Sequence, residues 1–126
     1  NGEFYDNAFT DEEKQKILST TLHTESNSHY HNNGGNDTID KVFLLSENEA
    51  RAYFSADEKR CANCTDFAKG NGAYVDTSGY SWWWLRTPGK RGNQAQLVTT
   101  GGLIGVGGSD VDYALSCVRP AMWIEL

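Results

Sequence analysis

The stretch YSWWWLRTPGKRG, Tyr80 to Gly92, sets three of the chain's four tryptophans side by side, followed by Leu85, Arg86 and a Thr87-Pro88-Gly89 break. In an extended strand successive side chains point to opposite faces, so Trp82 and Trp84 share one face and Trp83 takes the other. One face can fill a core while the other stacks on a neighbouring loop or helix. Each indole buries a large area, and its N–H calls for an acceptor. The tryptophans are therefore expected to be a core hub, ahead of a bare platform for stacking sugars. Arg86 and Arg119 sit close to prolines in RTPG and VRPAMW. Their guanidinium forks are expected to tie these segments to loop carbonyls, or to an acid such as Asp40 or Asp76.

Before this hub the sequence reads as helices and loop. Thr10 with Glu13 makes a capping box, and Ile17, Leu18 and Leu22 extend the helical spacing, predicting a helix to about Leu22. His23 to Asp37 is polar, with adjacent Gly34 and Gly35, and reads as a long surface loop. Thr38 to Leu45 is apolar and β-prone, predicting a buried strand. Ser46 with Glu49 predicts a second capping box, Ser55 with Glu58 a third, and Thr65 to Lys69 a helical piece ending at Gly70 or Gly72. After Ala73 the pattern shortens to strand-like pieces: Tyr80–Leu85, Ala95–Thr99, Leu103–Val106 and Cys117–Ile124. The segment VTTGGLIGV predicts a hairpin around Thr100-Gly101-Gly102. Helices first, then a loop-rich antiparallel β region, is an α+β layout.

With 126 residues the chain suits one domain, residues 1–126. A net charge of −6 argues against a nucleic-acid backbone as partner, and no apolar run is long enough to span a membrane. Cys61, Cys64 and Cys117 allow at most one intrachain bridge. Cys61-x-x-Cys64 with His29-x-His31 offers zinc ligands, but no second Cys pair accompanies them. A Cys61–Cys64 redox pair, a bridge to Cys117 and ordinary buried thiols remain open alternatives. Asp110-x-Asp112 is a weak calcium pattern, short of the alternating carboxylates such loops use. GGLIGVGG lacks the arrangement of a nucleotide loop. No nucleophile elbow is present.

Two segments resemble a known family. SWWWLRTPG and CVRPAMWIEL resemble the W-W-L-R-S-P-G and V-R-P-A-L-W-I signatures of a bacterial domain family of unknown function, abundant in secreted and surface proteins of gut Firmicutes. DNAFTDEEKQKIL and NDTIDKVFLLSENEARAYF resemble its other segments, so the likeness covers nearly the whole chain. Family members carry a further N-terminal portion, which implies that an upstream part of the same protein is a partner of this chain. The family is similar to the C-type-lectin-like group that includes formylglycine-generating-enzyme-like and diversified receptor domains. The resemblance implies a C-type-lectin-like α+β fold with a fixed frame of Trp82, Trp83, Trp84, Arg86, Pro88, Arg119, Pro120 and Trp123. It implies a variable ligand face from Gly89 to Ala114, where Lys90, Arg91, Asn93, Gln94, Gln96, Ser109, Asp110, Asp112 and Tyr113 have contact-surface chemistry. It carries over no catalytic cysteine pair.

The function expected is a noncatalytic module that recognises a protein or a glycan, on an extracellular or cell-surface bacterial protein, with no cofactor beyond a possible calcium ion at Asp110 and Asp112. Two alternatives stand beside it: a metal- or thiol-dependent enzyme using Cys61, Cys64, His29 and His31, and a structural or assembly domain.

Overall fold

A computed structural model describes residues 2–126. Two short helices open it, α1 (Gly2–Ala8) and α2 (Asp11–Lys16), followed by β1 (Thr20–Leu22) and β2 (Thr38–Asp40). Next come α3 (Glu47–Tyr53), α4 (Asp57–Arg60), β3 (Ala62–Asn63) and α5 (Asp66–Gly70). The remaining strands are β4 (Tyr80–Ser81), β5 (Trp83–Pro88), β6 (Gln94–Val98) and β7 (Ile104–Asp110). All named strand pairs are antiparallel: β1 with β2, β3 with β4, and a three-stranded sheet in the order β5-β6-β7. The fold is α+β.

The local signals at helix starts hold at Thr10, Ser46 and Thr65 and fail at Ser55. Thr10 and Ser46 each accept the N–H three residues on, and Glu13 and Glu49 each reach back to the cap N–H, closing two boxes. Thr65 caps α5, which ends before Gly72 at φ +91°. The Ser55–Glu58 box does not form: α4 begins after Ala56, without a side-chain cap.

Three longer expectations fail because tertiary pairing overrides local pattern. The helix expected to reach Leu22 stops at Lys16. Ile17 and Leu18 are drawn into pairing with the chain's last segment, where the Leu18 N–H donates to the Trp123 carbonyl at 2.9 Å and the Glu125 N–H to Lys16 at 2.8 Å. The strand expected over 38–45 is regular only to Asp40, and Ile39, expected inside, is 73% exposed. Phe43 then pairs singly with Ala121 through two backbone bonds of 3.0 and 2.8 Å. The tail, expected as a strand over 117–124, instead makes isolated bridges to three separate partners: Trp83, Phe43 and Ile17.

Trp83 is the hub. It is 1% exposed, packs with Leu45, Ala50, Leu85 and Val98, and is flanked by Phe43, Phe54, Ala62, Ile104 and Ala121. Its indole N–H donates to the Arg60 carbonyl at 2.9 Å, meeting the requirement that a buried donor be paired. Arg60 is itself buried. Its guanidinium donates to the Gly102 and Phe54 carbonyls and pairs with Asp57. Gly102 turns the β6–β7 hairpin at φ +81°, and a side chain there would run into the Asp57 carbonyl, so this position requires glycine.

Polar groups brace the other side of the sheet. Asn27 is buried, donating its amide to the Pro88 and Val106 carbonyls at 2.8 and 2.7 Å while its carbonyl accepts from the His29 and Tyr30 N–H groups. Every hydrogen-bonding position of that side chain is used. The 23–37 loop is thereby pinned to β5 and β7.

Candidate functional site

The Gly89–Ala114 insert is built mainly of β6, β7 and their turns. Gly89 donates to the Gln94 carbonyl at 2.8 Å and Lys90 to Gly107 at 2.8 Å, closing the turn that carries Lys90, Arg91 and Asn93. Gln94 then pairs with Asp110 and Ala95 with Ser109. The register shifts between Ala95 and Leu97, opposite Gly108 at φ +70°. Such a bulge re-aims the side chains at a strand end.

The re-aimed end forms a cleft of about 470 Å3 lined by Gln94, Ser109, Asp110, Asp112 and Tyr113, with Gly108 and Ala114. The Gln94 amide donates to Asp110 at 3.0 Å and Asn93 reaches the same oxygen at 3.4 Å, fixing that carboxylate. Tyr113 leans on Trp82 at 5.8 Å, and Trp82 stacks on Tyr74 at 5.0 Å. Tyr74, Trp82 and Tyr113 thus form an aromatic row that ends at the cleft. The lining carries two carboxylates and no cation.

The other residues expected on this face go elsewhere. Gln96 is a correction: it is 0% exposed and donates to the buried carboxylate of Glu47 at 2.9 Å, so no ligand reaches it. It lies in the stretch of β6 that is buried at every position, Gln96 to Val98, where it serves a buried network with Ser28 and Arg51 around Glu47. Lys90 and Arg91 lie exposed on the turn, Lys90 with its ammonium 5.2 Å above the Tyr30 ring.

Of the expected frame, Trp83 and Arg86 fit best. Arg86 donates to the Leu44 and His23 carbonyls at 2.8 and 3.0 Å, to Thr24 at 3.0 Å, and to both oxygens of Glu49. Carbonyls were the expected partners, but the acid is Glu49, not Asp40 or Asp76. Burial alone would raise the Glu49 carboxyl; the hydrogen bonds from Arg86 and the Ser46 N–H, with the Arg86 charge, outweigh it and hold it below the usual carboxylate value. Trp82 and Trp84 are half-buried, and the Pro88 carbonyl receives Asn27. Pro120 is exposed and Trp123 is 50% exposed, so neither is a core girder. Among the described residues Arg119 bonds no loop carbonyl; it lies over the Phe54 and Trp83 rings.

The proposed zinc ligands Cys61, Cys64, His29 and His31 form no cluster, whereas the Cys64 and Cys117 thiols neighbour each other. Among the described residues no group of three or more His, Cys, Asp or Glu side chains could hold a metal. Cys61 faces the Asp57 carbonyl and Cys64 that of Thr65, while His29 packs on Tyr30. The three cysteines are free, and burial pushes the Cys117 thiol up, away from thiolate reactivity. No helix among the described residues is long and apolar enough to cross a membrane.

The whole chain, residues 1–126, matches the family described as Domain of unknown function (DUF6273). The chain belongs to that family. No curated protein and no solved structure gives a match to this DUF6273 chain. Sequence reasoning missed Asn27, Glu47 and Thr87 within it; polar residues in a loop, at a helix start and before a proline carry no mark of burial when read singly.

Proposed function

We propose that this chain is a noncatalytic recognition module of C-type-lectin-like type, carried by an extracellular or cell-surface bacterial protein, and that the hairpin cleft is its ligand site. The observation that carries the reading is the convergence of Gln94, Ser109, Asp110, Asp112 and Tyr113 on one cleft at the end of a braced sheet. Two carboxylates, Asp110 held by the Gln94 amide, beside an aromatic ring suit the hydroxyls and C–H face of a sugar, or a polar, basic protein loop. A calcium ion shared by Asp110 and Asp112 belongs to the same proposal as an optional bridge to such hydroxyls.

Glycan and surface-protein arrays test it, with Gln94→Ala, Asp110→Asn and Asp112→Asn beside the parent chain. Capture by the parent, lost in the variants while melting stays within about 2 °C, is the expected result for surface substitutions. A parent chain that captures nothing, or variants that capture as well as the parent, would remove the reading.

A further inference from the structure

Arg119 is the anomalous arginine of this fold. Arg60 and Arg86 spend their donors on carbonyls and carboxylates. Among the described residues Arg119 makes no side-chain hydrogen bond and no ion pair, and its Nη1 is closed to solvent without an acceptor. Burial lowers its pKa, the mark of a cation whose hydration has not been replaced. Uncompensated buried donors are rare and costly in folded proteins.

The ring contacts explain where the guanidinium sits but not its idle donors. Its carbon lies 4.7 Å from the Phe54 ring centre and 5.0 Å from that of Trp83. Ring stacking engages the flat faces of a guanidinium, whereas its five N–H groups radiate in the plane, towards the edges. The rings therefore steady a fork whose Nη1 is closed off without an acceptor and whose other edge, Nε and Nη2, is open to solvent.

Arg119 stands between two clefts: a polar one of about 390 Å3 reaching Asn63, Ser81 and Cys117, and one of about 380 Å3 between the end of α3 and the tail, walled by Phe43, Tyr53, Phe54, Met122 and Trp123. The second has the aromatic walls. Among the described residues Arg119 is its one charged lining residue. No carboxylate lines it in a chain of net charge −6, so an anion entering there meets no lining residue of its own sign. Tyr53 and Trp123 meet edge to face at 6.3 Å and stay half exposed at the mouth. Exposed aromatics around a single arginine are the composition of a binding hot spot. The volume lies near the lower end for ligand pockets.

We propose that this cleft is a second ligand site, taking a small monocarboxylate with an apolar body: the carboxylate on the free edge of Arg119, the body among Phe43, Tyr53 and Trp123. It shares no residue with the hairpin cleft and stands or falls separately from it.

The test is a 1H–15N NMR titration of the 126-residue chain with 3-phenylpropionate and with its uncharged amide. The acid is expected to shift the Trp123 and Tyr53 signals with an apparent Kd at least about tenfold tighter than the amide, roughly the contribution of one charge-assisted contact. Trp123→Ala, at a half-exposed position, should keep the fold and weaken the acid about tenfold. Arg119→Lys, which retains charge but loses the fork, should weaken it similarly. Should the lysine variant fail to fold, the acid–amide comparison and Trp123→Ala decide. Equal binding of acid and amide, or no shift at saturating acid, overturns the proposal. Acetyl-Ala-Ala-Phe presents the same carboxylate on a peptide end. It should bind more weakly than the free acid, and tighter binding would reassign the cleft to peptide C-termini and overturn the small-molecule assignment.

Discussion

Replacing Arg86 with lysine keeps the charge and removes the fork, and the cost can be worked from its contacts. Arg86 is mostly buried and serves the His23 and Leu44 carbonyls, the Thr24 hydroxyl and both Glu49 oxygens. A lysine ammonium can retain Glu49 and one carbonyl, leaving the rest without a donor. Hydrogen bonds to charged groups contribute about 1.5–3 kcal/mol each, and part of that loss is recovered by solvent or relaxation. The guanidinium also lies 5.9 Å from the Phe43 ring, a contact lysine makes less well. The expected destabilisation of Arg86→Lys is about 3 kcal/mol, or roughly a 10 °C fall in Tm for a domain of this size. Urea unfolding measures it, with Glu49→Gln and the double variant completing a cycle whose coupling should lie near 1–3 kcal/mol. A loss below about 1 kcal/mol with an unchanged m-value would refute the claim that this fork joins loop, strand and helix.

Trp83→Phe should cost about 2–4 kcal/mol in urea unfolding, from the void left by the smaller ring and the Arg60 carbonyl left without its donor. Gln96→Ala should cost about 2 kcal/mol by the same assay, because Glu47 loses a buried donor, while array capture by the hairpin cleft is unchanged. The Glu49 carboxyl is depressed in the folded state, so its contribution is present above its unfolded value near 4.5 and is lost as pH falls through the lower folded value. Tm should therefore decline below about pH 4.5, and Glu49→Gln should flatten part of that decline.

Helix starts were legible because a cap is a contract between residues three apart: Thr10 with Glu13, and Ser46 with Glu49. The hub was legible in part: alternation along 82–84 sets Trp83 against Trp82 and Trp84, but the pair was expected inward, whereas Trp83 alone lies in the core and its two neighbours are half-buried. What escaped depends on partners far away. Ile17, Leu18 and Leu22 fit a helical stripe, but Ile17 and Leu18 instead meet residues 123–125, and Leu22 pairs with Thr38. Polar burial was equally hidden. Gln96 has surface chemistry and lies deep, because a carboxylate 49 positions earlier is buried beside it. In the candidate site the hairpin residues were found by resemblance, whereas their convergence arises from a bulge at Ala95–Leu97 that no residue type announces.

The tail has a consequence for biosynthesis. Its three bridges clasp positions 17, 43 and 83, each made earlier than the segment that fastens it. A ribosome delivers residues in order, so the helical half and the hairpin emerge, and wait, before their common clasp leaves the exit tunnel. During that interval the Trp83 hub lacks one wall. A nascent chain stalled before position 117 should be open to protease at the 17–22 and 38–43 segments, and should close within the time that the next stretch of translation takes.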